Sequence, residues 1–587
     1  MTKRPALCSF QIVLLFLFAA ACKTGNRENA ATGPYSPQTS LSGIRGGNLS
    51  LAVSSDPRTF NVLLAYDHVA RVIAQLLSAD LIHVNRATLE LEPSLASSWK
   101  LGEDGRTYTL TLRQGLRFSD GSPFTAEDVL FTFQVLQDPK INSPLADSLK
   151  VDGVFPAVSK IDSQTIRIVF PRPVGIGLRA LDSVTILPGQ RLQKPLQEGK
   201  FSSAWGPSAT PAELCGMGPF RLKEYQPGAR VVLERNPHYW KKDKSGQTLP
   251  YLDTITFLVI PDRNAQVLRF QAGELDLLDE FDPENYPALQ QGAAQGGYIV
   301  HNLGPGLTFD FIWFNLNPGR SKSGKPFVDP DKRNLFERPQ FRRAVAHALN
   351  RPGMTRAILL GLGEPQRGPI SPGNKAWHDD SLPPLDYNPD RSRHLLSELG
   401  LTDSDGDAIL EYPARRNLEF TLLTARGSIR REKVAEVARQ DLLKIGMRVN
   451  VQLADTRELI HKLAESYEYE SMLFGFTPAD VEPESLADVW LSSGNNHFWY
   501  PNQAQPRFPW EREMDLLTTK LVRTLDPEER KKIFFQVQEI WAREMPAIPT
   551  ICPNILVAWK NRLGNVRPSI LRPHISWNAE ELTVRGR

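Results

Sequence analysis

Four cysteines in 587 residues are too few for a disulfide scaffold. None stands in a Cys-x-x-Cys pair and no His-Glu-x-x-His occurs, so zinc sites of the usual spacing are excluded. Beyond the first two dozen residues no apolar run reaches the ~20 residues that a membrane-crossing helix needs. Charge of one sign is lacking too: 69 lysines and arginines face 66 acids, which gives no reason to invoke nucleic acid or an anionic surface as partner. There is no Gly-x-Ser-x-Gly elbow, no phosphate-cradling glycine loop and no repeat of solenoid length. What is present is a chain long enough for several domains at ~150 residues each.

The N-terminus is specific about destination. Lys3 and Arg4 precede an apolar stretch from Ile12 to Phe18, and Ala19, Ala20 and Ala21 lead directly into Cys22. A charged start, a short apolar middle and a small-residue exit make an export signal, too short to span a bilayer. The cysteine after three alanines resembles the lipobox of bacterial lipoproteins, which implies cleavage before Cys22 and acylation of its thiol; ordinary secretion with Cys22 incidental is the alternative. Residues 22–46, rich in Gly, Ser, Thr, Asn and Pro, read as a flexible tether. Of the two remaining thiols, Cys215 and Cys552, an oxidising compartment allows a bridge; two buried free thiols are the alternative.

Periodicity gives mixed elements. Leu49, Leu51 and Val53 alternate as a half-buried strand. Asp104-Gly105 marks a hairpin, with Tyr108, Leu110 and Leu112 alternating behind it. Thr125 and Asp128 stand as a capping box before a helix, and residues 164–170 alternate again. Residues 418–424, an amphipathic helix over 431–445, Gly446 and residues 447–453 spell a β-α-β unit, whose right-handed crossover requires parallel strands. Residues 469–476 are a further strand of that sheet, and a helix starts at Asp526-Pro527. Asp403, Asp405 and Asp407 look like a calcium loop, but Ala408 and Ala414 occupy positions that need Gly and Glu, so the stretch reads as a solvated turn. In the helix that begins at Gln340, Phe341, Ala344, Val345 and Leu349 face inward and Arg342, Arg343 and His347 outward.

Five blocks carry a resemblance: residues 91–133 (LEPSLASSWKLGEDGRTYTLTLRQGLRFSDGSPFTAEDVLFTF), 216–225 (GMGPFRLKEY), 340–354 (QFRRAVAHALNRPGM), 387–400 (YNPDRSRHLLSELG) and 545–554 (MPAIPTICPN). In order and spacing they are similar to family 5 of the bacterial extracellular solute-binding proteins, the receptors of peptide and nickel ABC importers. The resemblance implies an α/β, two-lobed periplasmic-binding-protein-like fold of type II, with an extra small α+β domain inserted in the first lobe. It apportions the chain as signal 1–21, tether 22–46, first lobe 47–92, inserted domain 93–185, first lobe again 186–304, second lobe 305–545 and a return to the first lobe over 546–587. It also implies a monomer that needs no cofactor or metal, whose partners are a solute, a permease with its ATPase subunits and the membrane through the lipid.

In peptide-binding members a carboxylate in Gly-Trp-x-x-Asp-x-x-(Asp or Glu)-Pro meets the ligand's α-ammonium. Here residues 475–483 read GFTPADVEP: Phe476 takes the aromatic position, Ala479 that of the acid, and Asp480 comes one residue late. Burying an unpaired ammonium costs several kcal/mol, so either Asp480 does the pairing or the ligand has no free amino terminus. Downstream, Asn496, His497, Trp499 and Gln503 concentrate amides and aromatics in a Pro-punctuated loop, a composition suited to a peptide-like ligand. Trp313 and Asn315, by resemblance near the inter-lobe strands, and Phe60 and Asn61 complete the expected contacts. The leading reading is a lipid-anchored receptor closing on peptides or solutes of similar size. A receptor for an oligosaccharide, metal chelate or blocked peptide, or one used for signalling, shares the same cleft, and a hydrolase lacks any recognisable acid/base pair.

Overall fold

Alternation at Leu49, Leu51 and Val53 builds the strand Asn48–Val53, with all three side chains buried. The computed structural model describes residues 44–182, 184–412 and 416–585; the export signal, Cys22 and nearly all of the tether lie outside the described residues. Asn48–Val53 pairs in parallel with Thr254–Val259, and Arg230–Arg235 and Phe220–Gln226 extend the sheet antiparallel. A second, wholly antiparallel sheet runs Ala96–Leu101, Thr107–Leu112, Thr165–Val169, Ala157–Lys160. Its first turn is closed by Gly105 at φ +65° and by Asp104, which accepts from the Arg106 and Thr107 amides. The helix Ala126–Gln137 carries the capping box at Thr125 and Asp128. This inserted sheet has no core of its own: Leu110, Ile166 and Val129 belong to the same buried cluster as Leu49 and Phe257.

The second lobe is a mixed sheet in the order Arg448–Ala454, Glu419–Ala425, Ser471–Phe476, Phe309–Phe314, Ala547–Pro549. The β-α-β unit is present, with parallel strands in register Phe420 to Val449 on either side of the helix Ile429–Leu443. Its core, from Leu307 to Ile551 with Leu571, is a separate cluster. Two apolar cores are the physical basis of two lobes. From Ile555 to Val584 most buried apolar residues rejoin the first core, while Leu556 and Ala558 join a smaller third cluster and Leu571 the second, and strand Ile551–Lys560 pairs with Tyr298–Pro305 and Leu277–Leu278 on the first-lobe side while Gly363–Pro365 pairs with its start. The chain therefore crosses between lobes over 305–309 and over 549–551.

Three expectations are corrected. Arg342 and His347 are buried, not outward, because the helix Pro339–Ala348 is covered on more than one side: Arg342 donates to the Phe336, Glu544 and Met545 carbonyls, and His347 sits against Asp386. Burial lowers the Arg342 pKa to about 10. Cys215 and Cys552 are free thiols, not a bridge. Cys215 is packed in the first core, whereas Cys552 is held at the lobe crossing by Ser371 and the Gly306 carbonyl; burial pushes each thiol up to about 12. The Asp403 stretch is an exposed turn in which Asp403 accepts from the Gly406 and Ala408 amides, as expected.

Candidate functional site

The lobe crossing is held by backbone. Thr550 donates through both its amide and its hydroxyl to the Asp310 carbonyl, Gly306 N–H donates to Pro553, and a β-carbon on Gly373 would lie 2.1 Å from the Pro305 carbonyl oxygen. The strand Ser471–Phe476 runs antiparallel beside Phe309–Phe314 and ends at this crossing, with Phe476 opposite Phe309. Gly475 is required there, since a β-carbon would meet the Phe309 carbonyl oxygen at 2.0 Å. Phe476 ends the strand half-buried, with its ring 4.4 Å from Phe309 and 5.5 Å from Phe498.

Asp480 follows on the loop and is already engaged. Arg179, carried by the short turn Gly177–Leu181 of the opposite lobe, donates to both its oxygens, Nε to Oδ2 at 2.5 Å and Nη2 to Oδ1 at 2.6 Å. Burial disfavours the Arg179 charge, but the Asp480 bonds and nearby Glu482 outweigh it and hold its pKa above the arginine norm. The third arm, Nη1, donates to the Leu89 carbonyl. Close by, Arg530 binds Glu482 and Glu484 together. Two carboxylates share one buried cation, and burial with the Glu482 charge raises Glu484 to about 7. The backbone follows the same path: Gly175 N–H donates to Val522 at 2.9 Å, and a β-carbon there would stand 2.6 Å from the Thr524 carbonyl oxygen.

Asp310 supports the wall from within. It is fully buried in the strand Phe309–Phe314 and takes Arg430 and Arg431 from the first turn of the helix Ile429–Leu443. Those cations hold its carboxyl below the usual range despite burial. Arg431 also donates to the Gly475 carbonyl, and Lys433 reaches across the lobes to Glu284 at 3.0 Å.

Of the ten expected ligand contacts, Phe476 and Asp480 lie together at the cleft edge. His497, Trp499 and Gln503 instead converge on fully buried Glu511: His497 Nε2 at 3.1 Å, Trp499 Nε1 at 2.9 Å and Gln503 Nε2 at 3.0 Å, all at Oε1, while the Arg507 and Phe508 amides take Oε2. The loop's polar residues satisfy one acid inside the second lobe, so the assignment of these three to the ligand is corrected. Trp313 is buried, donating to the Tyr469 hydroxyl and stacked on Phe498; Asn315 donates to the Tyr467 and Tyr469 carbonyls. Phe60 packs edge-on against Tyr225 at 5.5 Å, and Asn61 caps the turn Val62–Leu64. These four are packing and capping residues. Asn496 is exposed, apart from that Glu511 cluster. Sequence reasoning missed Arg179 and Arg530, which carry no local signal. It also missed Asp310, whose place as the one acid in the apolar run FDFIWF was a readable demand for a partner.

The sequence model of the bacterial extracellular solute-binding proteins, family 5 (middle region), matches residues 90–498. The chain belongs to this family. Among its relatives, the oligopeptide-binding protein AppA of Bacillus subtilis (strain 168) is 27% identical over 580 residues, covering 96% of each chain. The periplasmic alpha-galactoside-binding protein of Rhizobium meliloti (strain 1021) is 27% identical over 542 residues, covering 87% of this chain and 76% of its own. The structure of Bacillus subtilis AppA in complex with a nonapeptide superposes with a TM-score of 0.71 at 26% identity, covering 92% of this chain and 99% of that one. Family 5 proteins are binding proteins of transport, not enzymes. Among the described residues no helix is long and apolar enough to cross a membrane.

Proposed function

We propose that this family 5 chain is the receptor of an ABC importer, which closes its lobes on a peptide or a solute of similar size and presents it to a permease. The observation that carries the reading is the Arg179–Asp480 contact: the second lobe offers a carboxylate at the cleft edge, and a cation from the facing lobe fills it. A ligand α-ammonium matches that carboxylate in charge and donor chemistry, and exchange of guanidinium for ammonium leaves it compensated. Ligand contacts made only with the lobes together shift the population to the closed form. The division into first lobe (47–92, 186–304 and a return that starts after the strand Ala547–Pro549 rather than at 546), inserted domain (93–185) and second lobe (from 305) belongs to this reading, as does acylation of Cys22, which is tested by loss of palmitate labelling in Cys22→Ser.

A second reading follows from the same contact. Because Arg179 already neutralises Asp480, an uncharged solute meets a compensated wall, and the alpha-galactoside-binding relative shows that family members take such ligands. Thermal unfolding of residues 47–587 against short peptides, the same peptides N-acetylated, and oligosaccharides separates the two. Stabilisation that vanishes on acetylation supports ammonium capture. Stabilisation by oligosaccharides alone sinks the peptide assignment.

A further inference from the structure

A cavity of about 190 Å³ lies inside the first lobe, bounded by helix His68–Leu77, strand Ile82–Val84, residues 239–241 and the returning segment 567–581. Three metal-binding side chains meet at its edge. His83 Nδ1 is 3.0 Å from Asp80 Oδ2 and 3.8 Å from Asp182 Oδ1, and the three donor atoms lie within 4.8 Å of one another. Two ligands on bonds of ~2.0–2.1 Å at a tetrahedral angle stand ~3.4 Å apart, so these separations bracket a coordination edge.

Two further observations point to a cation. Lys241 is bound to Glu580, Arg567 to Glu581, and Arg86 lies 3.7 Å from Asp182, but Asp80 and Glu92 form no ion pair with lysine or arginine among the described residues. Asp80 instead meets His83, and Glu92 is exposed and accepts from the Asn85 side-chain amide, so the triad sets two carboxylates around one imidazole. Thr185 Oγ1 and Asn578 Oδ1 also line the cavity, each residue only 3% exposed, and neither atom has a hydrogen-bond partner. Such an atom costs ~1–3 kcal/mol when left unmet. The Thr185 backbone is bridged to that of Asp80, so the two residues stand opposite each other at the cavity wall.

We propose that Asp80, His83 and Asp182 bind one divalent transition-metal cation, with an imidazole and two carboxylates as ligands, a donor set suited to zinc and its neighbours. Asp80 and His83 precede the inserted sheet and Asp182 follows it, so the cation joins the two strands of the insertion's neck. Asp182 also ends the turn Gly177–Leu181, so the ion fixes the segment that aims Arg179 at Asp480.

The test uses the mature chain, stripped with EDTA, dialysed, and titrated with Co²⁺ and then Zn²⁺. One Co²⁺ per chain with visible d–d bands, displaced by one Zn²⁺, is expected. His83→Asn and Asp182→Asn should each weaken binding at least ~10-fold, while Asp405→Asn, in the exposed Asp403 turn, leaves it unchanged. His83→Cys should add a thiolate-to-cobalt charge-transfer band, a gain of signal that needs no loss-of-function variant to fold. Absence of d–d bands in the wild type, no new band in folded His83→Cys, or binding lost in Asp405→Asn but kept in Asp182→Asn overturns the proposal.

Discussion

Arg179→Ala removes the guanidinium that joins the lobes at Asp480. Truncating one partner of a buried ion pair costs ~3–5 kcal/mol. Here the Arg179 side chain is 9% exposed and that of Asp480 24%, and the Val481 amide still donates to Asp480 Oδ1, so water and one hydrogen bond remain and ~2 kcal/mol is the reasonable figure. Because the contact exists only with the lobes together, that energy acts on closure: ~2 kcal/mol is ~30-fold in the ratio of open to closed ligand-free protein. Single-molecule energy transfer between labels at Lys244→Cys in the first lobe and Lys322→Cys in the second reads this ratio. Both sites are exposed, and Cys215 and Cys552 are too buried to label. Asp480→Asn should open the lobes to a similar extent, and the double variant no further than either single one, the signature of one shared interaction. Peptides with a free amino terminus should then bind Arg179→Ala with less competition at Asp480, and acetylated ones should show no such gain. Additive effects of the two substitutions, or unchanged lobe separation in Arg179→Ala, would refute the reasoning.

Glu511→Gln keeps the shape of the buried hub but turns one acceptor into a donor facing N–H groups; an expected loss of ~3 kcal/mol is read as early unfolding of the second lobe in guanidinium. Glu484 has its folded pKa raised to about 7 from a usual 4.5, so its contribution is fully present below pH 4.5 and is lost as pH rises through 7, by about 3 kcal/mol in all. Urea midpoints of Glu484→Gln should accordingly lack a fall between pH 4.5 and 7 that the wild type shows; identical pH profiles would discard the assignment. Ellman's reagent should find no reactive thiol in native residues 47–587 and two after denaturation, whereas a bridge would leave none in either state.

Much of the fold was readable because its signals are local. Alternation at Leu49 to Val53, the Thr125 box and the strand-helix-strand run ending at Arg448–Ala454 each reside within a few turns of chain, where side-chain period and backbone capping are set by neighbours. The site was less legible. The loop around His497 has the composition of a binding surface, yet a single acid eight to fourteen residues further on draws those groups inward. Polar residues beside aromatics look the same in sequence whether they meet a ligand or satisfy one buried carboxylate. Arg342 likewise sits at an outward position of its helix, but the chain covers that face as well.

The amino-acid sequence by itself determined the elements, the parallel unit, the export signal that it predicts and the family, because these depend on patterns within contiguous segments. Only the tertiary structure decided which charges meet. Arg179 and Asp480 stand 301 residues apart and Asp80 and Asp182 flank an entire inserted sheet. A charge pair is defined by distance in space, which falls off steeply enough that a shift of a few ångströms makes or removes it, and no period along the chain encodes that distance.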